Sequence, residues 1–482
     1  MMNLKHWTKN MSRLKKKFLI GSSWVILATI GVKLLRLLTN IILARFLAPS
    51  AFGLIALGDA MLKGVRICSE LGINQAIVQN NRKDIDFINT AWTLQVLRGF
   101  FIFFIGVILS YPLSHFYQQN ALLNIIPFIG ISALISNFNS PSLAILKRKL
   151  KIKLLMGIEL WGTIFTRLSM IITVFISPNY WALLIGTAVG SLFRLYASFR
   201  WTPPIAHRFQ LEKTALKELL KFGLWITLGS SIIFFGGNLD KLLLGFFPSP
   251  KDAMAILGLY SISYTFASIP LEFISNISKH TIFPTISHIR RTKKKNLEKN
   301  LLKIRYVLLL SGFFVTYAVI LISPWFFDVF YTSDYASTKW MTPLLSVSIW
   351  ITILNSSVNQ TLLGLGRTRE LAISGGIKVI LMAPFYFLGY QFFGVPGFIL
   401  GGSLAELSEH LFDLVVLKKE KISLFRQDLL FSMLFIAFVC IGIIPSFYLP
   451  ALPALAYKLA LTSCIGIYTI LKILPFLIDK KD

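Results

Sequence analysis

The chain has 482 residues, 55% of them hydrophobic and 14% aromatic, and its 49 Lys and Arg against 21 Asp and Glu give a net charge of +28. A mean hydropathy of +0.69 excludes an ordinary soluble domain, because nearly uncharged runs such as 99–113 and 430–447 recur along the whole length. Most of the positive charge sits in short loops between such runs, which excludes a nucleic-acid-binding face.

In chain order, a basic tail (1–17) leads into a first apolar segment too long for a signal peptide, so no cleavable leader is expected. Span 1 (18–43) then carries Lys33, Arg36 and Asn40 on one face, with no acid. Span 2 (52–77) places Asp59, Lys63, Arg66 and Glu70 on a single helical stripe. Span 3 (88–114) contributes Arg98, and span 5 (154–177) contributes Arg167 with Glu159 two turns away. Spans 4 (120–146) and 6 (180–199) complete the first half.

A cation at bilayer depth costs roughly 2.5–3.5 kcal/mol on insertion scales, so each must face protein or water. Six deep cations stand against three deep acids here, a surplus suited to holding a pyrophosphate or an acidic glycan. The substrate-binding candidates are therefore Lys33, Arg36, Lys63, Arg66, Arg98 and Arg167. Asp59, Glu70 and Glu159 are candidates for tuning them. The alternative for span 2 is a self-neutralising ladder, Asp59 with Lys63 and Arg66 with Glu70.

The second half reads differently. Spans 7 to 12 fall near 222–246, 254–283, 304–330, 340–364, 371–391 and 394–417, with two more at 427–448 and 452–478. Their deep cations are few: Lys241 beside Asp240, and Lys378. Span 12 carries Glu406, Glu409, His410 and Asp413 at helical spacing. This group is either a proton- or sodium-coupling element or a paired helix end, with Glu406 reaching Lys378. Arg194, Lys279, Lys458 and Lys472 lie near span ends and are expected to snorkel. Polar patches at Asn137 and Asn139, and at Asn355 and Asn359, are either neutral sugar contacts or helix–helix hydrogen bonds.

Cys68, Cys440 and Cys464 fall in apolar segments at no metal or redox spacing, so they are expected to be packing residues without a disulfide. No GxxxxGK[ST], HExxH or Ser/His/Asp grouping occurs, so neither cofactor, bound metal nor catalytic centre is expected, and the chain does not read as an enzyme.

Loop charge sets the orientation. Thirty-four Lys and Arg fall on one side of this arrangement and three (Arg45, Lys251, Lys339) on the other. A missed span would invert every later loop, so the asymmetry favours fourteen spans with both termini cytoplasmic. The halves also resemble each other. Trp24, Leu43, Phe46 and Pro49 match Trp225, Leu244, Phe247 and Pro250, and Asn139, Leu143 and Lys147 match Asn359, Leu363 and Arg367. The predicted organisation is an all-α integral membrane protein with two parallel six-helix lobes around a central cavity. Their limits are 18–200 (spans 1–6) and 222–417 (spans 7–12), joined by a cytoplasmic linker at 201–221 and followed by two C-terminal helices within 427–478.

The stretches Ile42–Leu57, Leu71–Gln79, Pro141–Lys153, Asp240–Tyr260 and Leu362–Arg369 resemble bacterial polysaccharide exporters. These are the Wzx-like lipid-linked oligosaccharide flippases of the multidrug/oligosaccharidyl-lipid/polysaccharide (MOP) superfamily. The resemblance implies alternating access and turnover of polyprenyl-pyrophosphate-linked sugar across the bacterial inner membrane. It implies membrane lipids, a polysaccharide polymerase and glycosyltransferases as the working surroundings, with a proton or sodium as coupling ion left open. A drug exporter of the same superfamily would want an acid-dominated first lobe, the wrong sign. A polymerase or ligase would need a sizeable outer loop, and the outer loops here are short.

Overall fold

A computed structural model describes residues 13–443 apart from 71, 74–75, 78–83, 150, 204–206 and 293–296, with isolated residues between 457 and 472. Most of the basic tail and of the span expected at 452–478 lies outside the described residues, as does Cys464. Among the described residues every element is helical. Seven helices among the described residues are each long and apolar enough to cross a membrane, or nine if each bent pair counts as one span.

The chain divides into two compact units, residues 1–234 with 248–255, and 235–247 with 256–482. The first contains α1 (Arg13–Leu43), α2 (Pro49–Cys68), α3 (Ile85–Phe116), α4 (Leu122–Asn137), α5 (Ser142–Arg148), α6 (Ile152–Ile176) and α7 (Trp181–Arg200). Helix α8 (Lys213–Leu244) runs from the first unit into the second. The second unit holds most of α9 (Pro250–Ala267), then α10 (Ile269–Thr292), α11 (Leu297–Phe330), α12 (Thr338–Gly364), α13 (Thr368–Lys419) and α14 (Phe425–Ile443).

Many large apolar side chains point outward along the helices, which is the bilayer's signature. The apolar stretch of α3 is only 28% buried, and Phe101, Phe104, Ile108 and Tyr111 stand exposed along it. The same reversal governs the cysteines. Cys68 and Cys440 are free, as expected, but both are exposed rather than packed.

The polar face of α3 has a separate use. Thr93 Oγ1 accepts from the Gln210 amide and Thr90 Oγ1 from the Glu212 amide, each at 3.0 Å, while Trp92 stacks on Phe209. The segment after α7 is thus pinned along α3 before α8 begins. Helix α4 breaks at Asn139–Pro141 and bends by 61° into α5, because a proline cannot donate to the helical ladder. Gln95 Nε2 takes up the freed carbonyls of Asn137 (2.8 Å) and Asn139 (3.2 Å).

Close helix contacts rest on glycine. Gly186 and Gly190 on α7 lie against α6: a Cβ on Gly190 would come within 3.0 Å of the Gly162 carbonyl, and one on Gly186 within 2.8 Å of the Thr166 carbonyl. The second unit repeats the device. The 52-residue α13 carries the spans expected at 371–391 and 394–417 as one helical run broken at Gly394, whose φ of 60° and ψ of −141° are open to glycine. The halves fold back on each other, with Gly397 against the Gly389 carbonyl and Gly401 against the Phe385 carbonyl, closer than any Cβ could approach. At the open end of this hairpin the Arg367 Nε donates to Glu420 Oε1 at 2.7 Å. That hydrogen bond holds the Arg367 guanidinium above its ordinary pKa.

Helix pairing follows one scheme in both units. In the first, α3 packs on α4, α2 on α3 and α4, and α4 on α7. In the second, α11 packs on α12, α10 on α11 and α12, and α12 on α13.

Candidate functional site

Helices α1, α2, α3 and α6 place the predicted cations in the first unit. Arg98 is the most firmly held. Its Nη2 donates to Glu70 Oε2 at 2.9 Å and to the Arg66 carbonyl at 2.6 Å, and its Nε to Ser69 Oγ at 3.3 Å. The Arg66 guanidinium reaches Asp59 at 3.8 Å. Arg36 lies within electrostatic reach of Asp59 on α2 and of Arg167 on α6. Lys33, Arg36, Lys63, Arg66, Arg98 and Arg167 thus share one helical unit, with the three acids among them.

Three details differ from the sequence reading. Helix α2 ends at Cys68, so Glu70 is not on the stripe with Asp59, Lys63 and Arg66. The helix stops because Ser69 Oγ donates back to the Val65 carbonyl (2.8 Å) and Arg98 takes the Arg66 carbonyl. Glu70 therefore pairs across to α3 and not within a ladder to Arg66. Arg194, expected to snorkel, is ion-paired: its Nε donates to Glu159 Oε2 at 3.1 Å, which draws Glu159 toward α7 rather than toward Arg167. Each of the three acids thus has an arginine partner, and cations outnumber acids in this unit's spans.

Arg167 is the clearest case of that surplus. It is half-buried on α6. Its Nη1 meets only the Met170 sulfur, at 3.5 Å, a weak acceptor, and its Nε is buried with no hydrogen-bond partner. Among the described residues no carboxylate lies within ion-pair distance of it.

In the second unit Lys378 Nζ is paired with Glu406 and lies 3.3 Å from Glu409 Oε2, as the neighbouring spans predict. His410 Nε2 lies 3.3 Å from Asp428 Oδ2. Asp413 is fully buried. Sequence reasoning missed Arg305, counted there among loop charges. The structure buries it completely, 2.8 Å from Asp428 Oδ1, with its Nε donating to Ser357 Oγ at 2.8 Å. It also missed Asp240 as a buried acid accepting from Tyr260 Oη at 2.7 Å. Among the described residues no group of acids, histidines and cysteines could hold a metal ion.

The fold matches a solved structure described as lipid II flippase MurJ in an inward closed conformation, with a TM-score of 0.67 and 16% identity, covering 94% of this chain and 98% of that one. It also matches the inward-facing form of a multidrug resistance MATE family transporter of the MOP superfamily, with a TM-score of 0.61 and 13% identity, covering 81% and 95%. The chain shares the fold of these two structures. Residues 42–339 match the family described as polysaccharide biosynthesis protein, and the chain belongs to that family. Similar proteins include the teichuronic acid biosynthesis protein TuaB of Bacillus subtilis (21% identity over 77% of this chain and 76% of that one). The lipopolysaccharide biosynthesis protein WzxC of Escherichia coli is 23% identical over 86% and 84%.

Proposed function

We propose that this protein is a flippase that turns a polyprenyl-pyrophosphate-linked oligosaccharide across the bacterial cytoplasmic membrane for surface polysaccharide synthesis. The observation that carries the reading is the cation surplus of the first unit, above all Arg167, a guanidinium at mid-span with no carboxylate on it among the described residues. A membrane cation without a protein counter-charge is explained by an anionic ligand. Lys33, Arg36, Lys63, Arg66, Arg98 and Arg167 bind the pyrophosphate, with Asp59, Glu70 and Glu159 fixing arginine geometry. The names of the relatives, in teichuronic acid and lipopolysaccharide synthesis, support the same assignment.

The fold is shared with multidrug transporters, so it does not choose between substrates; the sign of the charge does, because organic cations would be repelled. The role is transport rather than catalysis, in keeping with the transporter relatives. Both termini are cytoplasmic in this reading, from the loop charges. Glu406, Glu409 and His410 are the coupling candidates, with proton or sodium as the ion. The protein works beside glycosyltransferases and a polymerase.

The test is a chromosomal deletion complemented by variants. Loss of the protein leaves lipid-linked oligosaccharide on the cytoplasmic leaflet. Lys33→Ala with Arg36→Ala fails to restore export while reaching the membrane at normal level. Normal leaflet distribution in a deletion with no paralogue would overturn the function; wild-type export by the double variant would overturn the site.

A further inference from the structure

The repeat-related asparagine patches share a buried, unpartnered Oδ1, on Asn139 and on Asn359, but differ in what surrounds them. In the first unit the break after Asn137 is closed over: Gln95 covers two carbonyls there, and Asn137 Nδ2 donates to the Ala133 carbonyl of its own helix at 2.8 Å. In the second unit the matching stretch of α12 opens onto a cavity of about 250 Å³. Asn355, Ser356, Asn359 and Gln360 line it from α12, and Ser275 from α10. The Oδ1 atoms of Asn355 and Asn359 are buried without a hydrogen-bond partner, as is Glu406 Oε2 at the cavity wall.

Buried acceptors without partners beside a polar cavity favour a donor-rich occupant that these side chains can turn to meet, since an unmet buried acceptor costs about 1–3 kcal/mol. The charges say which kind. Lys279 and Lys378 line the cavity together with Glu406 and Glu409, two ammonium groups against two carboxylates, so the wall has no net charge. A pyrophosphate gains nothing there. Amides and hydroxyls that both donate and accept suit the vicinal hydroxyls of a sugar.

We propose that this cavity of the second unit is a binding site for the neutral, hydroxyl-rich sugar portion of the substrate, separate from the anion site of the first unit. The inference rests on the flippase reading. Division of labour follows from charge: the cationic unit takes the phosphates and the charge-balanced cavity takes sugar.

The experiment uses the full-length protein with Cys68, Cys440 and Cys464 replaced by Ala, its transport confirmed, and Gln360→Cys added as a reporter for maleimide labelling. The probes are the oligosaccharide released from its carrier by mild acid, and farnesyl pyrophosphate, which has no sugar. At about ten times its Kd the oligosaccharide slows labelling about tenfold, and farnesyl pyrophosphate does not. Adding Asn355→Leu and Asn359→Leu removes the protection. No protection by the oligosaccharide, equal protection by both probes, or protection that survives the two leucines overturns the sugar site. The flippase reading fails on a different result, normal leaflet distribution in the deletion strain, so the two failures are distinguishable.

Discussion

Arg167 and Arg305 are both arginines inside a membrane protein, and their surroundings assign them opposite tasks. Arg305 is saturated: Asp428, Ser357, Gln427 and the Leu354 carbonyl enclose it. It holds α14 to α11 and α12. Breaking a buried ion pair leaves an uncompensated charge, so Arg305→Ala is expected to destabilise the protein by about 3–5 kcal/mol, read as a lower melting temperature in detergent. Arg305→Met with Asp428→Leu, which removes both charges, should recover most of that loss. Arg167 is unsaturated, so Arg167→Gln is expected to leave the melting temperature unchanged and to reduce oligosaccharide export at least tenfold, a change of about 1.4 kcal/mol. A melting loss as large as that of Arg305→Ala would make Arg167 structural. The sequence distinguished these two poorly. Arg167 sits alone in an apolar run and is conspicuous, whereas Arg305 adjoins a basic loop and looks interfacial; only the arrival of Asp428 from 123 residues on buries it.

At the scale of elements, the helices and their breaks were largely legible, because apolar runs and prolines are local signals. What was not legible is what crosses between helices. Glu70 lies past the end of α2 because Ser69 and Arg98 end that helix, and Glu159 turns to Arg194. The glycines that set helix spacing stand in the sequence as Gly186-x-x-x-Gly190 and Gly397-x-x-x-Gly401, but small residues are common in membrane helices and only the neighbouring carbonyls give these a role. Gly190→Val and Gly401→Val should each lower folded yield severely, measured by detergent-stable monomer on size exclusion. Gly157→Val and Gly376→Val, where an added Cβ meets nothing within 4 Å, should keep wild-type yield.

For the whole molecule, one duplicated helical plan carries two chemistries. The spans of the first unit concentrate cations beyond their acids, whereas the formal charges lining the cavity of the second unit cancel and amides line it. A substrate with a phosphate end and a sugar end requires both. The most direct test of this account is transport by the purified protein. In proteoliposomes loaded on one leaflet with polyprenyl-pyrophosphate oligosaccharide, a membrane-impermeant glycosidase should reach the substrate on the opposite leaflet only when the wild-type protein is present. Lys33→Ala with Arg36→Ala should fall to the protein-free level. Equal accessibility with and without protein, or undiminished transport by the double variant, would contradict the account.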